Sequence, residues 1–483
     1  MTTLTFLGAA RTVTGSKYLL QHDGVKILID AGLFQGLKEL RERNWQGLPV
    51  QPKDLDAIVL THAHLDHCGY LPRLVSHGFR GRIFCTAGTK DLCGIILPDS
   101  GRIQEEDAEQ ANRHGYSKHE PALPLYTEND AMQTLTFLQP VGYERPVPVA
   151  GGIEVEFLNA GHLLGSAYAR IRFGDRTILF GGDLGRFDRP VLPDPTMVER
   201  ADYLLVESTY GDRVHQEDDE GEKLAQAIRE VSERGGRMVI PAFAVGRVEE
   251  LLYWIKKLEA ERRIPILPVY VDSPMAAKAL ARYTERVNEL DPDLHPEERD
   301  EVAPHGRAAH ESPERRRAQA ARERELCAFC TMKFKTVSST QESKDLTRSK
   351  RPAIIISSSG MATGGRVLHH LAACLPDSRN TVLLVGFQAE GTRGRRLLNG
   401  EKTLRIHGRD VPVNARVERI DSMSAHADSQ EILRWLRGFT SPPTRTFLVH
   451  GEPGPMDTLR GEIEKQLGWT VHTPAWQEQV TLD

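Results

Sequence analysis

Thr61-His62-Ala63-His64-Leu65-Asp66-His67 is the stretch on which the fold of this chain turns. It follows an apolar run at 55–60 with the character of a buried strand. On an extended segment, side chains two apart point the same way, so His62 and His64 can both reach one metal ion. Asp66 and His67 come where the chain should turn into a helix, and can serve a second ion beside the first. Three imidazoles and a carboxylate this close together are costly to bury unless something binds them. The bland alternative is a polar loop with solvated histidines, but no structural need calls for this spacing.

The same grammar recurs along the first half: an apolar strand, small residues, then one His, Asp or Glu. Runs at 152–159 and 167–173 flank a turn that carries His162. The run at 177–180 ends in Gly181-Gly182-Asp183, and the one at 201–206 ends in Glu207. Strand ends in α/β folds are where sites are built. Ahead of them, 4–8, 17–21 and 25–30 resemble hairpin strands at one edge of a sheet, with Gly24 at a turn. Asp30 ends the third and faces a loop, where it could orient a metal ligand or simply cap a turn. A polar helix is expected over 90–116.

After Gly211 strands and helices alternate. Strands at 237–241, 268–272, 353–357 and 381–387, with helices at 248–262 and 274–283, predict βαβ units and a parallel sheet. The tail returns to the earlier style. Strands at 417–420 and 444–449 precede Ser424-Ala425-His426-Ala427-Asp428 and His450-Gly451-Glu452. A domain that stops, is interrupted and resumes explains this order. The expected division is 1–210, an insertion at 211–410, and 411–483. The charged stretch at 285–330 reads as a solvated helix, with an RNA-contacting arm as the alternative.

Seven candidate ligands divide naturally between two zinc ions. His62, His64 and His162 take one; Asp66, His67 and His450 take the other; Asp183 bridges. Such a pair would hold a hydroxide and neutralise charge building on phosphorus. Manganese or iron would also suit a mixed nitrogen and oxygen site. Glu207 and His426 are left over. A departing sugar oxygen needs a proton, and His426 held by Glu207 could supply it; otherwise His426 is a hydrogen-bonded histidine near a helix start. The loop 357–366, with Ser357, Ser359, Gly360, Gly364, Gly365 and Arg366, follows a strand and opens a helix. It suits phosphate, or is an ordinary tight turn. Phe243 and Arg247 hold a similar position, where a ring could stack a base and a guanidinium hold a phosphate; Phe243 is equally a core residue.

These motifs resemble the metallo-β-lactamase fold and, with Glu207, His426 and His450, the β-CASP nucleases, in which a second domain is inserted. The resemblance covers essentially the whole chain. It implies an α/β architecture, a four-layer αββα sandwich, with two zinc ions and phosphodiester hydrolysis in the cleft between domains. It matches Asp30 to the first motif of the family, and Glu207 and His426 to the pair serving the leaving group. A histidine at the position of His450 marks the RNA-acting branch. The loop at 357–366 and Gly391-Thr392-Arg393-Gly394 look like the bacterial and archaeal members related to the polyadenylation-factor nuclease. No appended N-terminal RNA-binding domain is seen, and the charged stretch is longer than the family minimum.

The rest of the sequence sets bounds. At 483 residues, 40% hydrophobic and 27% charged, the chain is ordinary for a globular protein. A formal net charge of −5 gives no bulk attraction to nucleic acid, so contact with RNA must come from a local basic groove or bound metal. Six scattered cysteines suit a reducing cytoplasm. Cys327 and Cys330 read as structural thiols, with a metal or redox site as the alternative. No signal peptide or membrane span is recognised. The leading expectation is a zinc-dependent cytoplasmic ribonuclease, endo- or 5′-exonucleolytic, acting on single-stranded RNA. A small-ester or thioester hydrolase and a non-catalytic RNA-binding scaffold are the alternatives. Oligomeric state is left open, a homodimer included.

Overall fold

Successive residues of a strand face opposite ways, and in strands such as Ala57–Val59 and Tyr203–Glu207 both sets are buried. Such strands need cover on both faces. A computed structural model, which describes residues 1–115, 119–216, 221–294, 327–386, 388 and 391–482, supplies it. The chain divides into two units, Met1–Val214 with His426–Asp483, and His215–Ala425.

The first unit holds two seven-stranded sheets. One runs, in spatial order, Gln479–Leu482, Thr2–Phe6, Tyr18–His22, Val25–Ile29, Ala57–Val59, Arg82–Cys85 and Leu138–Pro140. The other runs Val471–His472, Arg445–Val449, Tyr203–Glu207, Arg176–Phe180, Ala167–Phe173, Ile153–Asn159 and Val147–Ala150. Phe6, Ile27 and Val59 of the first sheet share one core with Phe157, Ile178 and Phe180 of the second, so the sheets pack face to face. The alternate residues Leu158, Leu179 and Leu204 point the other way. They meet Trp435 and Leu436 of the helix Ser429–Leu436, and Leu459 and Ile463 of the helix Pro453–Leu467. The edge of the first sheet is not the N-terminal hairpin expected from sequence. The last strand, Gln479–Leu482, pairs antiparallel outside Thr2–Phe6. The polar helix is Ala87–His114; it starts ahead of the expected 90 because Thr86 caps it, its hydroxyl accepting from Thr89 N at 3.2 Å.

The second unit is a six-stranded parallel sheet in the order Phe334–Thr336, Val269–Val271, Ala353–Ser357, Arg237–Pro241, Thr381–Val385, Arg416–Ile420. A separate hairpin joins Thr403–Ile406 to Arg409–Pro412. The strand at 416–420 pairs with Thr381–Val385, so this segment is the last strand of the second sheet. It does not lie with the tail, where its sequence style had suggested. Cys327 and Cys330 are joined by a disulfide rather than standing as two thiols. The charged segments 314–317 and 322–324 lie outside the described residues.

One local feature positions the histidine block. The segment after Asp30 runs beside 65–67 and exchanges backbone hydrogen bonds with it: Ala31 N to His67 O at 2.7 Å, Leu33 N to Leu65 O at 2.8 Å. Gly32 sits at the closest approach. A Cβ there would lie 1.6 Å from the Asp66 carbonyl oxygen and 2.8 Å from His67 N. Gly32→Ala should therefore push Asp66 and His67 out of place. The expected cost is about 1–3 kcal/mol or more, with bound metal lost as well. Calorimetry and elemental analysis test this; a variant with wild-type Tm and metal content refutes it.

Candidate metal centre

Nearly every ligand candidate stands where a strand ends. His62 and His64 follow Ala57–Val59, and Asp66 and His67 fall in the short helix Leu65–Cys68. His162 lies between Ile153–Asn159 and Ala167–Phe173, and Asp183 follows Arg176–Phe180. Glu207 closes Tyr203–Glu207, and His450 follows Arg445–Val449. His426 comes just before the helix Ser429–Leu436, which Asp428 caps. All lie in the first unit. Asp30 and His450 take positive φ, 57° and 50°, a region non-glycine residues adopt only where their surroundings hold them.

Their donor atoms gather in three groups: His62, His64, His162 and Asp183; Asp66, His67 and His450; and Asp183, Glu207 and His426, the first and third sharing Asp183. Asp183 faces two ways. Its Oδ2 is 3.3 Å from His62 Nε2 and 3.4 Å from His162 Nε2. Its Oδ1 is 3.1 Å from His67 Nε2 and 3.6 Å from His450 Nε2. His64 Nδ1 is 3.2 Å from His62 Nε2 and 3.1 Å from His162 Nε2. Those nitrogen spacings are close to the edge, about 3.3 Å, of a tetrahedron with ligands at ~2.0–2.1 Å.

Hydrogen bonding fixes which ring nitrogens carry protons. The Thr61 hydroxyl donates to Asp30 Oδ2 at 2.9 Å, so it can only accept from His62 Nδ1, 3.1 Å away. Asp30 Oδ2 also accepts from His67 Nδ1 at 2.8 Å. The Thr209 hydroxyl donates to Glu207, and so accepts from His450 Nδ1 at 3.0 Å. In the neutral rings Nε2 is then a lone pair, and all three lone pairs face carboxylate oxygens. Lone pair against carboxylate is repulsive unless a cation lies between. Asp183 Oδ1 is buried and accepts no hydrogen bond among the described residues. The donor set thus fits divalent metal.

The electrostatics agree. Burial drives His64 down to about 3, with neighbouring His62 adding to the effect, and lowers His162 well below its ordinary value. Neutral imidazole is the metal-binding form. Burial alone would raise the Asp183 carboxyl, but His450 and His67 beside it hold it well below the usual range. Burial would lower His67, yet Asp183 and Asp30 raise it. Each case reports the same demand for positive charge.

Glu207 is fully buried. It accepts from Leu184 N at 2.5 Å and from His426 Nδ1 at 3.0 Å. His426 Nδ1 is also 3.9 Å from Asp183 Oδ2. Burial would lower the His426 pKa, but Glu207 and then Asp183 outweigh it and hold it at about 9. Thr61 and Thr209 escape a search for ligand types; Thr61 adjoins His62 in sequence, whereas Thr209 reaches His450 only through the pairing of two distant strands.

The other candidates lie in the second unit. Phe243 is 41% exposed, and its ring lies so close to Gly360 that a Cβ there would meet it at 2.8 Å. Ser359 Oγ accepts from Thr363 N at 3.0 Å. Gly364 and Gly365 stand in the same loop, Gly365 at a φ of 78°. Three candidates turn inward. Arg247 is buried and paired with Glu250. Ser357 Oγ donates to Asp272 O at 2.8 Å, and Arg366 Nη1 donates to the buried Asp272 carboxylate at 2.8 Å. Ser343 and His370 also donate to that carboxylate, each at 2.6 Å.

Comparison with known proteins gives three family matches: Metallo-beta-lactamase superfamily over residues 11–80, Beta-Casp domain over 248–397, and Zn-dependent metallo-hydrolase RNA specificity domain over 410–474. The chain is 35% identical over 462 residues to Ribonuclease TTHA0252 of Thermus thermophilus, covering 94% of this chain and 96% of that one. It is 31% identical to Transcription termination factor FttA of Methanocaldococcus jannaschii, over 96% of this chain and 69% of the relative. A solved protein of unknown function from Enterococcus faecalis V583 aligns over the full length of both chains, with TM-score 0.52 and 15% identity, a likeness of fold alone.

Because Asp183 faces both groups, Asp183→Ala should lose most of the bound metal. Elemental analysis of folded protein checks this, and wild-type metal content in the variant would remove Asp183 from the ligand set.

Proposed function

The chain belongs to the β-CASP family of the metallo-β-lactamase superfamily, and on that footing we propose that it is a metal-dependent ribonuclease. The proposed reaction is hydrolysis of phosphodiester bonds in single-stranded RNA. The observation that carries this reading is the Glu207–His426 pair beside Asp183. A hydrolase of small esters or thioesters has less need of a positioned acid for a poor leaving group. A non-catalytic scaffold has no need of the tautomer control around His62, His67 and His450.

We assign His62, His64 and His162 to one zinc ion and Asp66, His67 and His450 to a second, with Asp183 shared. Manganese or iron would also suit these ligands. Bound there, the ions supply charge neutralisation at phosphorus and a lowered pKa for attacking water. The chain's own residues do the rest. Asp30 and Thr61 hold His67 and His62 with Nε2 inward, and Thr209 does the same for His450. Glu207 keeps His426 protonated and orients it through Nδ1. The departing ribose oxygen then takes its proton from His426 Nε2, while Nδ1–H stays with Glu207. Phe243 and the loop from Ser359 to Gly365 are assigned to the RNA strand, the exposed ring stacking on a base.

His450 is the residue by which the family resemblance points to RNA. Matched RNA and DNA oligonucleotides at one stated salt concentration should show RNA cleaved faster. Equal or faster DNA cleavage would overturn the substrate assignment.

His426→Ala should keep its metal and still bind RNA, since His426 is not assigned as a ligand. Its rate should fall about 10²–10⁴-fold, the usual worth of a positioned acid. A substrate with a better leaving group should recover much of that loss. Glu207→Gln should be milder. Removing the carboxylate lowers the His426 pKa, so the proton is lost earlier and the alkaline fall in rate moves to lower pH. Near-normal turnover in metal-replete His426→Ala would make His426 a structural histidine.

A further inference from the structure

The chain carries a net charge of −5, yet seven Lys and Arg stand against two acids between Gly391 and Arg416. Three of these, Arg393, Arg396 and Arg405, line an open cavity of about 450 Å³ in the second unit. Thr363, Gly391, Thr392, Arg393, Arg396, Arg405 and Gly408 line it. The volume is in the range of small-ligand sites.

The three arginines differ in how their charge is compensated. Arg396 is neutralised: it grips Glu401 through Nε at 2.8 Å and Nη2 at 2.6 Å. Arg393 is held by neutral carbonyls instead. Its Nε donates to Arg405 O at 3.0 Å and its Nη1 to Thr363 O at 3.0 Å. These bonds fix the guanidinium without cancelling its charge. Arg405 is exposed; Asp410 stands opposite it in the hairpin register, but the two form no ion pair among the described residues. Arg393 and Arg405 both line the cavity, and neither forms an ion pair with a carboxylate among the described residues, so an anion held there would meet positive charge not already neutralised. Planar guanidinium forks match phosphate oxygens in particular. Among the described residues, nothing lies within 4 Å of a Cβ position at Gly391 or Gly408.

We propose that this cavity is an RNA phosphate site, formed by Arg393 and Arg405 and separate from the metal centre. The occupant is RNA backbone because the cavity continues the loop assigned to the strand: Thr363 lines it and is bonded through its backbone N to Ser359. The inference rests on the ribonuclease reading for the identity of its ligand. It gives an acidic protein the local basic contact that binding a polyanion requires.

The test uses the full chain carrying His426→Ala, with fluorescence anisotropy of a labelled single-stranded 20-nucleotide RNA across a salt series. Arg405→Glu should weaken binding about tenfold near 0.1 M salt and flatten the salt dependence by about one to two phosphate contacts. Single-stranded DNA of the same sequence should lose affinity by a similar factor, because a phosphate contact ignores the sugar. Arg393→Ala should also weaken binding, but it removes tethers as well as charge. Arg405 donates no side-chain hydrogen bond to a described residue, so Arg405→Glu is the cleaner variant. Affinity within twofold of the parent in folded Arg405→Glu, or a loss confined to RNA, overturns the proposal. Failure of the ribonuclease reading is distinguishable: a wild-type chain, with His426 intact, that binds RNA through Arg405 but never cleaves it keeps this site and loses the enzyme.

Discussion

Uncompensated negative charge in a dry interior is the constraint on which the first unit depends. Asp30 and Glu207 are fully buried, Asp183 nearly so, and Asp66 lies among them. Carboxylates in this setting are stable only with cations or dense hydrogen bonding around them. The chain provides hydrogen bonds to the outer two. Asp30 takes bonds from Thr61 N, the Thr61 hydroxyl and His67. Glu207 takes bonds from Leu184 N, Thr209 and His426. Asp183, in the middle, is surrounded chiefly by imidazole nitrogens whose outer partners already hold their protons. The outer carboxylates therefore do two things at once. They are satisfied, and they turn the histidine lone pairs toward the centre. A cation bound there would relieve the repulsion between lone pairs and carboxylate, so metal binding is expected to stabilise the fold.

Much of this was legible because it is local. His62 and His64 share a face through the period of an extended segment, and apolar runs ending in His162, Asp183, Glu207 and His450 mark strand ends whatever they pair with. What escaped was nonlocal or directional. Gln479–Leu482 pairs with Thr2–Phe6 across the whole chain, and no local pattern encodes that partner. The strand at 416–420 carries Val417 and Ile420 in either sheet's style, and only its pairing with Thr381–Val385 decides between them. Arg247 opens the helix Arg247–Ala260 and Ser357 closes the strand Ala353–Ser357, so neither lies in the loop its motif suggests, and their directions depend on Glu250 and Asp272. Glu250, three residues on from Arg247 at helical spacing, was the available warning. A residue type indicates what a side chain can do; its nearest opposite charge decides which way it faces.

The interruption of the first unit poses a problem of precision. Glu207 lies just before the chain leaves for the second unit, and His426 is the first residue after it returns. Their 3.0 Å contact therefore spans all of His215–Ala425 in sequence. A pair closed across such a stretch would be loosely held if the inserted unit alone set its geometry. It does not, because the two ends are joined within the first unit. Tyr210 and Asp428 form a parallel bridge. Arg213 O accepts from Ser429 N at 3.1 Å and from the Ser429 hydroxyl at 2.9 Å. The strands on either side are in register, Glu207 opposite Val449, which brings His450 beside Thr209. Sheet pairing, the bridge and the capped helix thus fix Glu207, His426 and His450 together. The placement of His426 relative to His450 and Glu207 is consequently set inside the first unit and does not depend on the inserted sequence.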